Sequence, residues 1–119
     1  MEIHFTARRF KPHAAIRKHA VDAIRKLDKF YDGIVRSDVI LSFERTLKSV
    51  KSAEINLHVD GTVLTAKDKS EDFYKSIDLA VGKLERRLAK YKMKLRMKNK
   101  KALRRVKEDS TQPVNGEEE

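Results

Sequence analysis

Ile3 and Phe5 stand between Glu2, His4 and Thr6, and this period-two alternation predicts a brief strand with one buried face. Pro12 follows the run Arg8-Arg9-Phe10-Lys11. The first turn of a helix tolerates proline because its missing N–H would have no intrahelical partner there. A helix is predicted from about His13 to Tyr31. At 100° per residue Ile16, Ala20, Ile24, Leu27 and Tyr31 fall within about 80° of one another, a stripe suited to packing on a sheet. Gly33 stands beyond its end.

Alternation then resumes. Val39, Leu41 and Phe43 alternate with Ile40, Ser42 and Glu44, and Ala53, Ile55, Leu57 and Val59 alternate with Glu54, Asn56 and His58, which gives two longer strands. The polar stretch Thr46 to Lys51 reads as a loose turn between them. Asp60-Gly61 is a strong hairpin signal, because a primed two-residue turn takes positive φ at both central positions. Thr62 to Ala66 is the predicted fourth strand. Asp68 or Ser70 is placed to cap a second helix, with Glu71 and Asp72 in its first turn. Phe73, Ile77, Ala80, Val81, Leu84, Leu88, Tyr91 and Leu95 recur at helical spacing as its buried face. The pattern fades after Leu95, and the helicity of Arg96 to Lys107 is left open. Ser110 to Glu119 has the composition of a disordered segment.

The predicted order is βαβββα, an α+β fold. A parallel pair joined by a right-handed helical crossover, followed by an antiparallel meander, gives a four-stranded mixed sheet of order 1-2-3-4. Both helices pack on one face of it, because each offers a single apolar stripe.

The chain has 119 residues, enough for one domain. Its 28 Lys and Arg against 18 Asp and Glu leave a net charge of +10, which points to a polyanion, either nucleic acid or an anionic membrane surface. Cysteine is absent, which removes disulfide scaffolds and thiol chemistry and suits a reducing compartment. No apolar run approaches the roughly 20 residues of a membrane span, and the N-terminal residues do not read as a signal peptide. The expectation is a soluble, cytoplasmic protein that does not engage a membrane.

The charge is concentrated. From Lys83 through Lys107 there are thirteen basic residues and one acid, Glu85. Lys83, Arg86, Arg87, Lys90 and Lys94 span about 100° of the helical wheel away from Leu84 and Leu88, with Asp78 and Glu85 to the other side. On the first helix Lys18, Arg25 and Lys29 lie within about 40° of each other, with Lys26 nearby and Asp22 diluting them. With the two helices side by side, these faces are expected to form one cationic surface able to bridge several phosphates. The alternative is a pair of ordinary solvated helix faces. Two aligned faces with few intervening acids favour the phosphate surface.

Other chemistry finds little support. His4, His13, His19 and His58 have no spacing that brings two ligands together. Glu71-Asp72 already has a role at a helix start. Gly33, Gly61, Gly82 and Gly116 form no phosphate-cradling loop. Phe10, Phe30 and Tyr31 read as core or staple residues more than as base-stacking ones. No enzyme, cofactor, metal or small-molecule substrate is expected.

The residues Ala66, Glu71-Asp72-Phe73-Tyr74 and Ile77-Asp78, running into Lys83-Leu84-Glu85-Arg86-Arg87-Leu88-Ala89-Lys90-Tyr91-Lys92, resemble the signature of the ribosome hibernation promoting factors and the ribosome-associated inhibitor called protein Y. Pro12-His13-Ala14-Ala15-Ile16-Arg17 and Lys26-Leu27-Asp28-Lys29-Phe30 resemble the family's first helix. The resemblance covers residues 1–95 and corresponds to the family's short type. It implies a fold similar to double-stranded RNA-binding domains, and a monomer binding the small ribosomal subunit and whole ribosomes through rRNA phosphates. There it would occupy the decoding channel, in the space of mRNA and of A- and P-site tRNA, and inhibit translation sterically during stress. By matching positions Lys26, Lys29, Lys83, Arg86, Arg87 and Lys90 would face rRNA. The expected organisation is a ribosome-binding domain over 1–95 and a basic-then-acidic flexible tail over 96–119. A generic double-stranded RNA-binding module and a modulator of a transcription factor are the rival readings.

Overall fold

Alternating burial along each strand sets one face of the sheet against the helices. The computed structural model describes residues 1–45 and 49–107, and in it the elements run β1 (Glu2–Arg8), α1 (Ala14–Phe30), β2 (Ile34–Arg45), β3 (Ser49–Val59), β4 (Thr62–Ser70) and α2 (Phe73–Lys107). The sheet order is β1-β2-β3-β4, with β1 parallel to β2 and the other pairs antiparallel. This is the predicted α+β architecture. The chain divides into two compact units, Met1–Leu88 and Ala89–Glu119. Of the flexible tail expected over 96–119, residues 96–107 are part of α2, and the rest lies outside the described residues.

In the first unit the register aligns apolar residues into rows. One row is Phe5, Val39, Ile55 and Ala66, and the next is Ala7, Leu41 and Ala53, closed at the β4 edge by the polar Asp68. Val39, Leu41, Ala53 and Ile55 are fully buried, as are Ala20, Ile24 and Leu27 of α1 and Ile77, Ala80, Leu84 and Leu88 of α2. Both helices cover this face. The Arg17 guanidinium lies 5.6 Å from the centre of the Phe5 ring on β1, and the buried Ser76 hydroxyl donates to the Lys51 carbonyl of β3 at 2.7 Å. Phe10, ahead of α1, stacks on Phe73 at 4.5 Å, which is the staple role expected of it; Phe30 is exposed.

Several boundaries differ from those the pattern predicts. β1 is longer, because parallel pairing holds it to β2 as far as Arg8 opposite Ser42. β4 runs on to Ser70, because β3 pairs with it past Ala66. The loose turn expected over Thr46 to Lys51 is shorter: Ser49, Val50 and Lys51 are strand, paired with Arg45, Glu44 and Phe43, and residues 46–48 lie outside the described residues. Between β3 and β4 only Gly61 takes positive φ, at 78°. The turn therefore does not place both central residues there, and Asp60 avoids the steric cost that glycine escapes. Asp72, not Asp68 or Ser70, caps α2: its Oδ1 accepts the Tyr74 N–H at 3.0 Å. Glu71 and Asp72 thus precede the helix. α2 continues through Lys107, which settles the open question after Leu95.

The outer face of the sheet is polar. There Asp38 Oδ2 accepts from His58 Nε2 at 2.9 Å and Asp38 Oδ1 lies 3.1 Å from Arg36 Nε. Burial pushes the Asp38 carboxyl up, but the His58 hydrogen bond and the Arg36 charge outweigh it and hold the group below the usual carboxylate value. A carboxylate with a depressed folded pKa stabilises the fold above its unfolded pKa and loses that contribution as pH falls through the folded value. Asp38→Asn is therefore expected to lower the urea midpoint at neutral pH, with the difference from the parent closing as pH falls below the ordinary carboxylate range of about 4. Parallel pH profiles for parent and variant would refute this.

Candidate nucleic-acid interface

The two helices lie abreast in the first unit, tied through one histidine. His19 Nε2 on α1 donates to Asp78 Oδ1 on α2 at 2.7 Å, and its ring meets Tyr74 edge-on at 5.1 Å. His19 has no metal-ligand spacing in the sequence, and its role is this tie between the helices. Its pairing with a residue 59 positions away had no local signal. α1 covers the β1 side of the sheet and α2 the β4 side.

Helical geometry then places the cations. On α1 the buried stripe of Ile16, Ala20, Ile24 and Leu27 leaves Lys18, Arg25, Lys26 and Lys29 exposed. On α2 the stripe of Ile77, Ala80, Leu84 and Leu88 leaves Arg86 and Arg87 exposed. Among the described residues no ion pair ties up Arg25, Lys26, Lys29, Arg86 or Arg87. Lys90 and Lys94, also exposed, belong to the second unit.

Two of the nine expected phosphate contacts are engaged within the protein. Lys18 Nζ donates to Asp22 Oδ2 at 2.9 Å, one helical turn away. That hydrogen bond, with the lysine's charge, lowers the Asp22 carboxyl below its ordinary value. Lys83 turns toward β4, where its Nζ lies 2.8 Å from Asp68 Oδ2 and donates to the Lys67 carbonyl at 3.5 Å. Lys83 is 43% exposed and Asp68 22%, so the lysine forms a strut between helix and sheet edge. The sequence offered Asp68 only as a helix cap.

The expected single plate of charge is also divided. Asp78 faces α1 through His19, and Glu85, seven residues on, lies about 20° from it on the wheel. Both acids therefore stand on the side of α2 that looks toward α1, between the cationic faces. The surface is a pair of cationic ridges, Arg25-Lys26-Lys29 and Arg86-Arg87, on either side of an acidic seam. Ridges of exposed cations with no base-reading groups bind phosphate backbones without reading sequence. Among the described residues no cluster of His, Asp and Glu is placed to hold a metal, and no helix is long and apolar enough to cross a membrane.

Comparison with known proteins gives this surface a context. Residues 3–96 match the family described as sigma 54 modulation protein / S30EA ribosomal protein. A ribosome hibernation promoting factor of Klebsiella oxytoca is 32% identical over 96 residues, 81% of this chain and 98% of that protein. Among solved structures, a ribosomal subunit interface protein from Coxiella burnetii aligns with a TM-score of 0.71 at 27% identity, covering 78% of this chain and 99% of that one. The N-terminal domain of Thermus thermophilus protein Y aligns with a TM-score of 0.67 at 27% identity, covering 76% and 99%.

Proposed function

This chain belongs to the sigma 54 modulation protein / S30EA ribosomal protein family, and on that premise we propose that it is a non-enzymatic, ribosome-binding translation inhibitor that keeps idle ribosomes inactive. The observation that carries the reading is the pair of exposed ridges, Arg25-Lys26-Lys29 and Arg86-Arg87, on two helices that share one face of the sheet and are joined by the His19–Asp78 hydrogen bond. Such a surface bridges phosphates that a folded RNA presents at fixed spacing. The names carried by its relatives, ribosome hibernation promoting factor and ribosomal subunit interface protein, point to the ribosome as partner, and rRNA is the folded RNA that this reading assigns to the ridges. Lys90 and Lys94 add phosphate contacts from the second unit. The bound position is the decoding channel of the small subunit, and inhibition follows from occupying the space of mRNA and tRNA.

Sedimentation of ribosomes through sucrose gradients tests this. The protein is expected to travel with small subunits and whole ribosomes, and to be excluded from ribosomes preloaded with mRNA and tRNA. Equal binding to loaded ribosomes would reject the channel. Removal by modest amounts of a free RNA duplex would favour a generic duplex binder. A complex that forms away from ribosomes and survives nuclease and high salt would favour a protein target such as a transcription factor.

A further inference from the structure

The strand β4 is a sheet edge, and cations stand on both sides of it. Burial alternates along it: Leu64, Ala66 and Asp68 turn toward the helices, and the exposed Lys67 and Lys69 stand on the opposite face. On the helix side, Lys83 reaches across the strand to Asp68 and to the Lys67 carbonyl, with Arg86 and Arg87 exposed on the same helix. Carboxylates near this strip include Asp68, already engaged by Lys83, Glu54, the register partner of Lys67 on β3, and Glu71 and Asp72, just past the end of β4. Among the described residues no ion pair joins Lys67 or Lys69 to any of them.

We infer that the bound RNA is gripped around the β4 edge, with Lys67 and Lys69 on phosphates at the outer face of the sheet and Arg86 and Arg87 on phosphates at the helix face. A straight duplex is convex and lies against one side of a strand. Phosphates reach both sides only where folded RNA forms a concave cleft that admits the edge. The inference rests on the RNA-binding reading above and adds to it a second contact face and the shape of the partner.

Lysine on an edge strand also discourages pairing with other chains, and charge reversal separates the two roles. Glutamate keeps the edge charged and repels phosphate. The test compares the parent with K67E/K69E and R86E/R87E, binding each to purified small ribosomal subunits and to a blunt RNA duplex of roughly 16 base pairs over a salt series.

R86E/R87E is expected to weaken binding to both. K67E/K69E is expected to flatten the logarithmic salt slope on subunits by about 1.4 to 1.8, equivalent to roughly ten- to thirtyfold weaker binding at 0.15 M salt, with little change on the duplex. K67Q/K69Q, which removes the contacts without reversing them, should flatten the slope equally and reads the effect if the glutamate variant misfolds. Parent-like subunit binding by both lysine variants, with R86E/R87E impaired, would overturn the inference and leave the function standing. Equal weakening on duplex and subunits would overturn the concave cleft. Parent-like binding by R86E/R87E as well would overturn the functional reading itself.

Discussion

A chain carrying R25E, K29E, R86E and R87E together is expected to lose co-sedimentation with small subunits at physiological salt. Each phosphate neutralised contributes about 0.7 to 0.9 to the logarithmic salt slope. The five exposed cations Arg25, Lys26, Lys29, Arg86 and Arg87 therefore give the first unit a slope of about −3.5 to −4.5. Removing four of them costs a factor of roughly 200 to 1,000 at 0.15 M salt, and reversing their sign adds repulsion. The fold should not register the change, because all four side chains are exposed and none is ion-paired among the described residues. Far-UV circular dichroism and the melting temperature should match the parent. K18E/K83E is the contrasting control: both lysines spend their charge on Asp22 and Asp68, so it should perturb stability more than binding. Retained co-sedimentation of the fourfold variant would remove the two ridges from the mechanism.

How much of this the sequence showed depends on the range of the interaction involved. The core of both helices was legible, because Ile16, Ala20, Ile24 and Leu27, and Ile77, Ala80, Leu84 and Leu88, repeat at the period that buries them. The exposure of Arg25, Lys29 and Arg86 followed from the same period, whereas Arg87, about 60° from Leu84, is exposed at the flank of the stripe. Pairings set by the tertiary fold were hidden. Nothing local ties Lys83 to Asp68 or His19 to Asp78, and helical phase alone could not say which flank of α2 meets α1. That orientation moved Asp78 and Glu85 from a bystander side into the seam between the ridges. Strand ends were missed for a related reason. Lys67, Asp68, Lys69 and Ser70 have weak strand propensity and are held extended by β3, so the two lysines beside the α2 ridge went unread as an edge.

Leu84→Ala is expected to be among the most damaging single changes to the fold, and its effect separates seating the helix from binding RNA. Leu84 is fully buried and lies two residues before Arg86, so the same helical period that drives it into the core turns Arg86 outward, while Arg87, about 60° from Leu84 on the wheel, stands exposed at the flank of the stripe. Truncating a buried leucine costs the transfer energy of the lost methyl groups plus a cavity term, about 3 to 4 kcal/mol together. Native stabilities are only about 5 to 15 kcal/mol, so this is a large share, and the melting temperature should fall by roughly 10 to 20 °C. Leu84→Met keeps most of the volume and should cost under about 1.5 kcal/mol. Both variants leave Arg86 and Arg87 in place. Loss of subunit binding by Leu84→Ala should therefore follow its unfolded fraction: full affinity on cooling below its transition, and none above it. A folded Leu84→Ala chain with parent-like circular dichroism and persistently weak binding would show that affinity depends on how α2 is seated on the sheet, more than on the charges it carries.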